Sequence, residues 1–300
     1  MPEGRLGGAL AAATERLRAS GSETPRLDAE VLLAHVLGAD RTAVLAHPEA
    51  PLGPAHSSAF SDSVARRERG EPVAYIRGLK EFYGLALSVD PRALIPRPET
   101  ELLVDLGISR AAAILTGRRW RPSRGALRVV DVGTGCGAVA IAFVVTLRAR
   151  GYGEVLDVLA TDASEEAVAL ARENAAAHGL ADAIRFSAAD LLPDDEPPFD
   201  LVLANLPYVP SAEIAGLPIA ASFEPRAALD GGPDGLAVIR PLASRLADGA
   251  SDLGVALVEI GPHLRAGLER LARETLPDWR LAFHDDLAGR LRVAELVRSG

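Results

Sequence analysis

Val129-Val130-Asp131-Val132-Gly133-Thr134-Gly135-Cys136-Gly137 runs an apolar strand into three alternating glycines, after which Ala138 onward is apolar enough for a buried helix. Glycine has no side chain to hold a ligand off, and the first N–H groups of a helix lack backbone partners. A strand, a glycine loop and a helix in this order therefore predict a cofactor cradle. Outward from it, apolar stretches at 156–161, 184–187, 201–204 and 255–260 read as further strands after 127–132. Helical spacing occupies 139–148, 164–178 and 264–276. That alternation predicts an α/β fold with a parallel sheet covered on both faces. The end differs: strands at 280–283 and 291–297 are joined by a short loop with no helix, which makes the last pair antiparallel.

Upstream the texture is helical. Thr24 as N-cap and Pro25 at the first helical position open a helix with Ala29, Leu32, Leu33, Val36 and Leu37 on one face, closed by Gly38. A second helix at 54–69 carries Phe60 and Val64 and stops at Gly70. No strand signal precedes Val73. Val73-Ala74-Tyr75-Ile76 and Leu85-Ala86-Leu87-Ser88-Val89 read as a hairpin between two domains. Ile95-Pro96-Arg97-Pro98 is held extended by its two rings, a helix follows at 99–115, and Arg118 to Arg124 form a basic, turn-rich break. The expected organisation is a small all-α domain at 1–71, a hairpin linker at 72–98 and an α/β domain at 99–300.

Three hundred residues leave room for two domains, and 48% hydrophobic with 24% charged residues is globular usage. A formal charge of −9 argues against unselective attraction to nucleic acid or anionic lipid, so no stable nucleic acid partner is expected. One cysteine, Cys136, excludes an internal disulfide framework and fits a reducing compartment. The N-terminus has no apolar core of a secretory signal, and no segment approaches the roughly 18 apolar residues of a membrane span. A cytoplasmic protein is the expectation. The six histidines are dispersed without ligand spacing, so no metal is expected.

Gly133-x-Gly135-x-x-Ala138 also satisfies a loose dinucleotide fingerprint. Two carboxylates favour S-adenosylmethionine instead. Asp131 lies in the strand before the first glycine, where it would attract the cationic amino group of a methionine moiety and repel a pyrophosphate. Asp162 ends the next strand, where it can accept both ribose hydroxyls, and Asp190 follows the third, where it can receive the adenine amine. Gly133, Thr134, Gly135, Cys136 and Gly137 line the loop, with Cys136 serving as a small residue and not as a nucleophile.

The fourth strand leads into Asn205-Leu206-Pro207-Tyr208. Pro207 fixes its own φ and holds Leu206 extended, so the Asn205 side chain and the Leu206 carbonyl can face one planar NH2 group. Accepting both of its protons concentrates electron density on the nitrogen, and the Tyr208 ring can lie against the substrate or attract a methyl-sulfonium. Asn205 and Tyr208 are the expected catalytic pair.

With these residues the chain resembles the HemK/PrmC family, S-adenosylmethionine-dependent protein-(glutamine-N5) methyltransferases that act on peptide chain release factors. Pro25 to Glu30, Gly70 to Tyr75, Glu81-Phe82-Tyr83, Leu94 to Thr100, the glycine loop, the tetrad and Phe223-Glu224-Pro225 carry the resemblance. It implies a class I methyltransferase, a Rossmann-like seven-stranded sheet with an antiparallel last strand. It also implies that the helical domain grips the release factor and that the tetrad receives the glutamine of its Gly-Gly-Gln loop, modulating translation termination. Gly133 through Gly137, Asp162, Leu191 and Asn205 then match cofactor contacts, and Asn205 through Tyr208 match substrate contacts. Leu206 stands where the family usually has proline, and Leu191 where an aromatic residue is common. The alternative is an adenine amino-group methyltransferase acting on RNA or DNA, because an exocyclic amine presents similar geometry and Arg118 to Arg124 would then line the approach.

Overall fold

The computed structural model describes residues 4–117, 125–193 and 195–299, so the basic stretch Arg118 to Arg124 lies outside the described residues. Two compact units are formed, one from residues 1–80 with 217–223 and the other from 81–216 with 224–300.

In the first unit a two-residue strand β1 (Gly4–Arg5) pairs antiparallel with β2 (Pro51–Leu52), beside helices α1 (Leu6–Ala19), α2 (Pro25–Leu37), α3 (Arg41–Ala46), α4 (Pro54–Glu68) and α5 (Val73–Arg77). Leu10, Leu17, Leu32, Leu33, Phe60, Val64 and Ile76 form its core. In α2, Pro25 occupies the first turn and Gly38 closes the helix at φ 61°, as the sequence predicts. The Thr24 hydroxyl caps nothing; it donates to Asp28 (2.9 Å), a buried carboxylate that also accepts from Ser22 and from Arg67 Nε.

Two expectations fail here. Strands do occur before Val73, but two residues show no period-2 alternation for a reader to find. Val73 to Ile76 is a helical turn and not a strand. Gly78 at φ 67° caps it, and Tyr75 and Ile76, neighbours in sequence, are both buried, which one face of a half-exposed strand forbids. The hairpin instead pairs β3 (Leu79–Phe82) with β4 (Leu85–Ser88). Its turn places Tyr83 at φ 52° before Gly84 at φ 73°. Tyr83 is held in this left-handed conformation by its N–H to Glu101 (2.8 Å) and its hydroxyl to Asp105 (2.6 Å).

The second unit is built on a seven-stranded sheet in the order β10-β11-β9-β8-β5-β6-β7. Its strands are β5 (Leu127–Val132), β6 (Leu156–Asp162), β7 (Ile184–Ala188), β8 (Phe199–Ala204), β9 (Ala250–Glu259), β10 (Trp279–Asp285) and β11 (Leu291–Arg298). The first five run parallel, and β11 lies antiparallel to both neighbours, as expected of the final hairpin. Helices α6 (Glu101–Thr116), α7 (Ala138–Ala149), α8 (Glu165–Ala177), α9 (Ile239–Gly249) and α10 (Arg265–Thr275) belong to this unit. α9 falls in a stretch where the sequence pattern predicts no element. Phe143, Leu147 and Leu170 are buried on one side, and Leu242, Leu246 and Leu268 on the other.

Strand order reverses at β5. Successive strands move one way through β6 to β7 and the other way through β8 to β9, which opens a crevice at the carboxyl ends of β5 and β8. The register decides what meets there. Val132 pairs with Thr161 on one side and Ala204 on the other, and Ala204 pairs with Val258. The next residue on each strand therefore belongs to one row across the sheet: Asp162, Gly133, Asn205, Glu259.

Candidate active site

Gly133, Gly135 and Gly137 all have positive φ, at 72°, 56° and 86°. The N–H groups of Gly133 and Thr134 both donate to the Thr161 carbonyl (2.9 Å each), which pins the loop to β6. At Gly133 a Cβ would stand 3.0 Å from Leu206 Cδ2 and 3.3 Å from the Asn205 carbonyl oxygen, so the backbones of the two motifs touch at a residue that has no room for a side chain. Leu206 is itself buried, its side chain filling the core below the loop, and the tetrad's departure from proline is thereby accommodated.

Asp162 organises the loop from the next strand: its carboxylate accepts from the N–H of Gly135 and from that of Ser164 (2.9 Å each). Asp131 is turned inward, only 1% exposed, and accepts from the Thr134 hydroxyl (2.7 Å) and from the N–H of Ala140 at the start of α7 (3.2 Å). It thus ties loop to helix, a task that the sequence alone does not suggest. Burial, which outweighs these two bonds, pushes its carboxyl up to about 7, with the nearby charge of Asp162 adding to the rise. Among the described residues neither carboxylate is in an ion pair. An anionic loop with a buried acid beneath it fits a ligand with a cationic head, and opposes a pyrophosphate.

Asp190 is exposed beyond β7. Leu191 is buried at φ 62°, and its carbonyl accepts from the Thr161 hydroxyl (3.0 Å), so its side chain belongs to the core while its backbone closes the end of β6. The Cys136 thiol is 2% exposed and pushed by burial up to about 12, while its carbonyl accepts from Asn174. Iodoacetamide at mildly alkaline pH is accordingly expected to leave the native protein unmodified and to alkylate it once in denaturant, read by mass spectrometry. Rapid native alkylation would mean that the loop opens.

Asn205 Nδ2 donates to the Thr100 hydroxyl oxygen (3.1 Å), and Thr100 is hydrogen-bonded in turn to the buried carboxylate of Glu259. The Tyr208 hydroxyl lies 3.5 Å from Glu259 Oε1. Burial and the Glu259 charge push the Tyr208 phenol up to about 12, and burial pushes Glu259 up to about 7 against the Thr100 bond and the Arg292 charge. Behind Tyr208 the backbone is clamped by residues that sequence reasoning missed. Gly231 N–H donates to the Val209 carbonyl (2.8 Å), Val209 N–H to the Leu229 carbonyl (3.0 Å), and a Cβ on Gly235 would stand 2.5 Å from the Tyr208 carbonyl oxygen. The closely spaced glycines of Asp230-Gly231-Gly232-Pro233-Asp234-Gly235 were the available signal. Arg97 and Glu224, both from stretches that carry the family resemblance, pair at 2.5 Å.

Residues 8–78 match the PrmC N-terminal domain, and residues 129–217 match a methyltransferase domain. Over 97% of its length the chain is 37% identical to the release factor glutamine methyltransferase of Deinococcus radiodurans, covering 98% of that protein. It is 38% identical to the release factor glutamine methyltransferase of Moorella thermoacetica, over 90% of this chain and 93% of the other. Among solved structures, the catalytic domain of hMettl16 in complex with the MAT2A 3'UTR hairpin 6 aligns over 82% of both chains with a TM-score of 0.51. At 15% identity that likeness is one of fold. The methyltransferase domain and the donor set at the glycine loop agree on S-adenosylmethionine as the cofactor. No helix among the described residues is long and apolar enough to cross a membrane.

Proposed function

We infer that this chain, which belongs to the release factor glutamine methyltransferase family, transfers a methyl group to the side-chain amide nitrogen of the glutamine in the Gly-Gly-Gln loop of a peptide chain release factor. The observation that carries this reading is the adjacency of Gly133 and Asn205 in one row of the sheet, which sets an amide-binding tetrad beside the cofactor loop. S-adenosylmethionine, when bound, supplies an electrophilic methyl group on a sulfonium.

Everything else falls to the protein. A glutamine amide is a poor nucleophile because its nitrogen lone pair is delocalised into the carbonyl. Asn205 Oδ1 and the Leu206 carbonyl oxygen, by accepting its two protons, return density to the nitrogen and fix the amide plane. Both acceptors are neutral, so they polarise the amide without adding a charge. Tyr208 stays protonated at neutral pH and offers its ring as a wall, not a base. Asp162 is assigned to the ribose, Asp190 and Leu191 to the adenine, and Asp131 to the ammonium end of the cofactor. For Asp131 the support is a buried carboxyl whose raised affinity for a proton is relieved by a nearby cation.

The first unit is assigned to recognition of the release factor. A protein substrate needs a buried surface of order 1,000 Å² or more, which a glutamine-sized pocket does not offer. A cytoplasmic location follows from a substrate that works on ribosomes. The adenine reading is not favoured, since the relatives that cover the whole chain are named for release factors.

The test is transfer from labelled S-adenosylmethionine to four targets: an intact release factor, the same factor with its loop glutamine replaced, total RNA and DNA. Label is expected in the intact factor alone. Label in RNA with none in the factor would overturn the assignment.

A further inference from the structure

Asn205, Thr100 and Glu259 come from segments far apart in the chain and form one hydrogen-bonded line. Glu259 occupies the same row of the sheet as Asn205, on the adjacent strand β9, and is 2% exposed. Its Oε2 is buried with no hydrogen-bond partner among the described residues. Thr100, also 2% exposed, ends the turn after Pro98. A buried carboxylate with an idle oxygen is costly, and an apolar side chain of similar size would be the cheaper filling for that space.

With Glu259 ionised, the chemistry of the three groups allows one arrangement. Because burial brings this carboxyl up to about 7, that arrangement holds above neutral pH and is released as the carboxyl takes up a proton. An ionised carboxylate only accepts, so the single hydroxyl proton of Thr100 goes to Glu259. The Thr100 oxygen is then left to accept, and within the Asn205 amide only the NH2 end can donate to it. Oδ1 must point the other way. The two ends of an asparagine amide have nearly the same shape, and packing alone distinguishes them poorly. With the amide reversed, an NH2 would meet the NH2 of the substrate, donor against donor.

We propose that Thr100 and Glu259 are positioning residues that set the orientation of the Asn205 amide, so that its oxygen faces the substrate nitrogen. This rests on the reading of Asn205 as acceptor for the substrate amide. Glu259 acts as the acceptor that polarises the line, and Thr100 passes that polarity to Asn205. Glu259 also faces the Tyr208 hydroxyl, so the same carboxylate braces both ends of the tetrad.

The test compares Thr100→Val, which keeps the shape and removes the hydroxyl, with Thr100→Ser, which keeps the hydroxyl. Thr100→Val is expected to lower kcat on a release factor by roughly 10² with little change in KM, the scale of a misplaced reacting partner. Its melting temperature and its affinity for S-adenosylmethionine should stay near those of the parent. Thr100→Ser should restore most of the loss. An unchanged kcat in Thr100→Val, or a loss that Thr100→Ser does not rescue, overturns the proposal.

Glu259→Gln, whose amide can donate as well as accept, is expected to lower kcat more in the parent than in the Thr100→Val background, where only its contact with Tyr208 is left to lose. Additive losses would refute the route through Thr100. A substrate-free measurement separates this proposal from the assigned substrate. The Asn205 side-chain NH2 resonances, identified by their disappearance in Asn205→Asp, should exchange slowly with solvent in the parent and in Thr100→Ser, and fast in Thr100→Val. Equal exchange in all three overturns the proposal even if release factors are methylated. Failure of the parent to methylate any release factor, with the exchange pattern as expected, would overturn the substrate and leave the positioning intact.

Discussion

Asn205→Ala is expected to lower kcat by roughly 10² to 10³, the usual effect of removing one preorganised partner of a reacting group. Affinity for S-adenosylmethionine should change far less. The loop that cradles the cofactor is held from elsewhere: Gly133 and Thr134 by the Thr161 carbonyl, Gly135 by Asp162, and Thr134 again by Asp131. None of these bonds involves the Asn205 side chain. Removing it leaves the Leu206 carbonyl as a single acceptor for a substrate nitrogen with two protons. The amide can then rotate out of line, and its lone pair stays delocalised. Single-turnover rates with saturating cofactor, set beside calorimetric binding of S-adenosylmethionine, separate the two quantities. A near-parental single-turnover rate would remove Asn205 from the chemistry.

Gly235→Ala is expected to lower kcat by about 10², again the scale of a misplaced partner, and to lower the melting temperature. Two effects combine. Gly235 has φ +75°, a conformation that costs a residue with a Cβ about 1–2 kcal/mol. Its Cβ would also stand 2.5 Å from the Tyr208 carbonyl oxygen, a backbone atom that cannot swing aside, and 2.8 Å from Leu264 Cδ2. Relief requires Tyr208 to shift, and the tetrad with it. Gly289→Ala is the control, since Gly289 has φ +70° and a methyl group added there would meet nothing within 4 Å. It carries the backbone strain without the clash, so its melting temperature should fall modestly with kcat retained. Equal kcat in the two variants would show that the tetrad tolerates pressure from behind.

The α/β pattern was legible because each buried strand carries its apolar residues consecutively. β5 was read to the residue, and the neighbouring strands to within a few at each end. Val73 to Ile76 misled because four apolar residues, two of them β-branched, suit a strand or one turn of helix equally; Gly78, the capping residue, decides between them only when its φ is known. At the site, the glycine loop and the tetrad are each local in sequence, so each is legible as a motif. The partners of the Asn205 side chain are not legible in this way, since Thr100 lies 105 residues away and Glu259 on another strand. The register between β8 and β9 sets Glu259 beside Asn205, and the packing of α6 against those strands brings in Thr100 just before its first turn; neither leaves a mark on any single stretch of chain. Asp131 stands out in the sequence as the one acid of a largely apolar strand, but its inward turn depends on where α7 begins.

Residues 217–223 belong with the helices of 1–80, although they follow the tetrad in the chain. The polypeptide therefore leaves the catalytic unit shortly after Tyr208, contributes to the other, and returns at Glu224 for its pairing with Arg97. A gene recombination with one crossover between residues 80 and 81 would import a foreign bundle but keep the host's returning segment, giving a unit assembled from two parents. Exchange of an intact first unit among relatives thus requires two coordinated crossovers, the second within the stretch between the tetrad and Glu224. Inheritance of the first unit is thereby split, part of it encoded within the catalytic half of the gene.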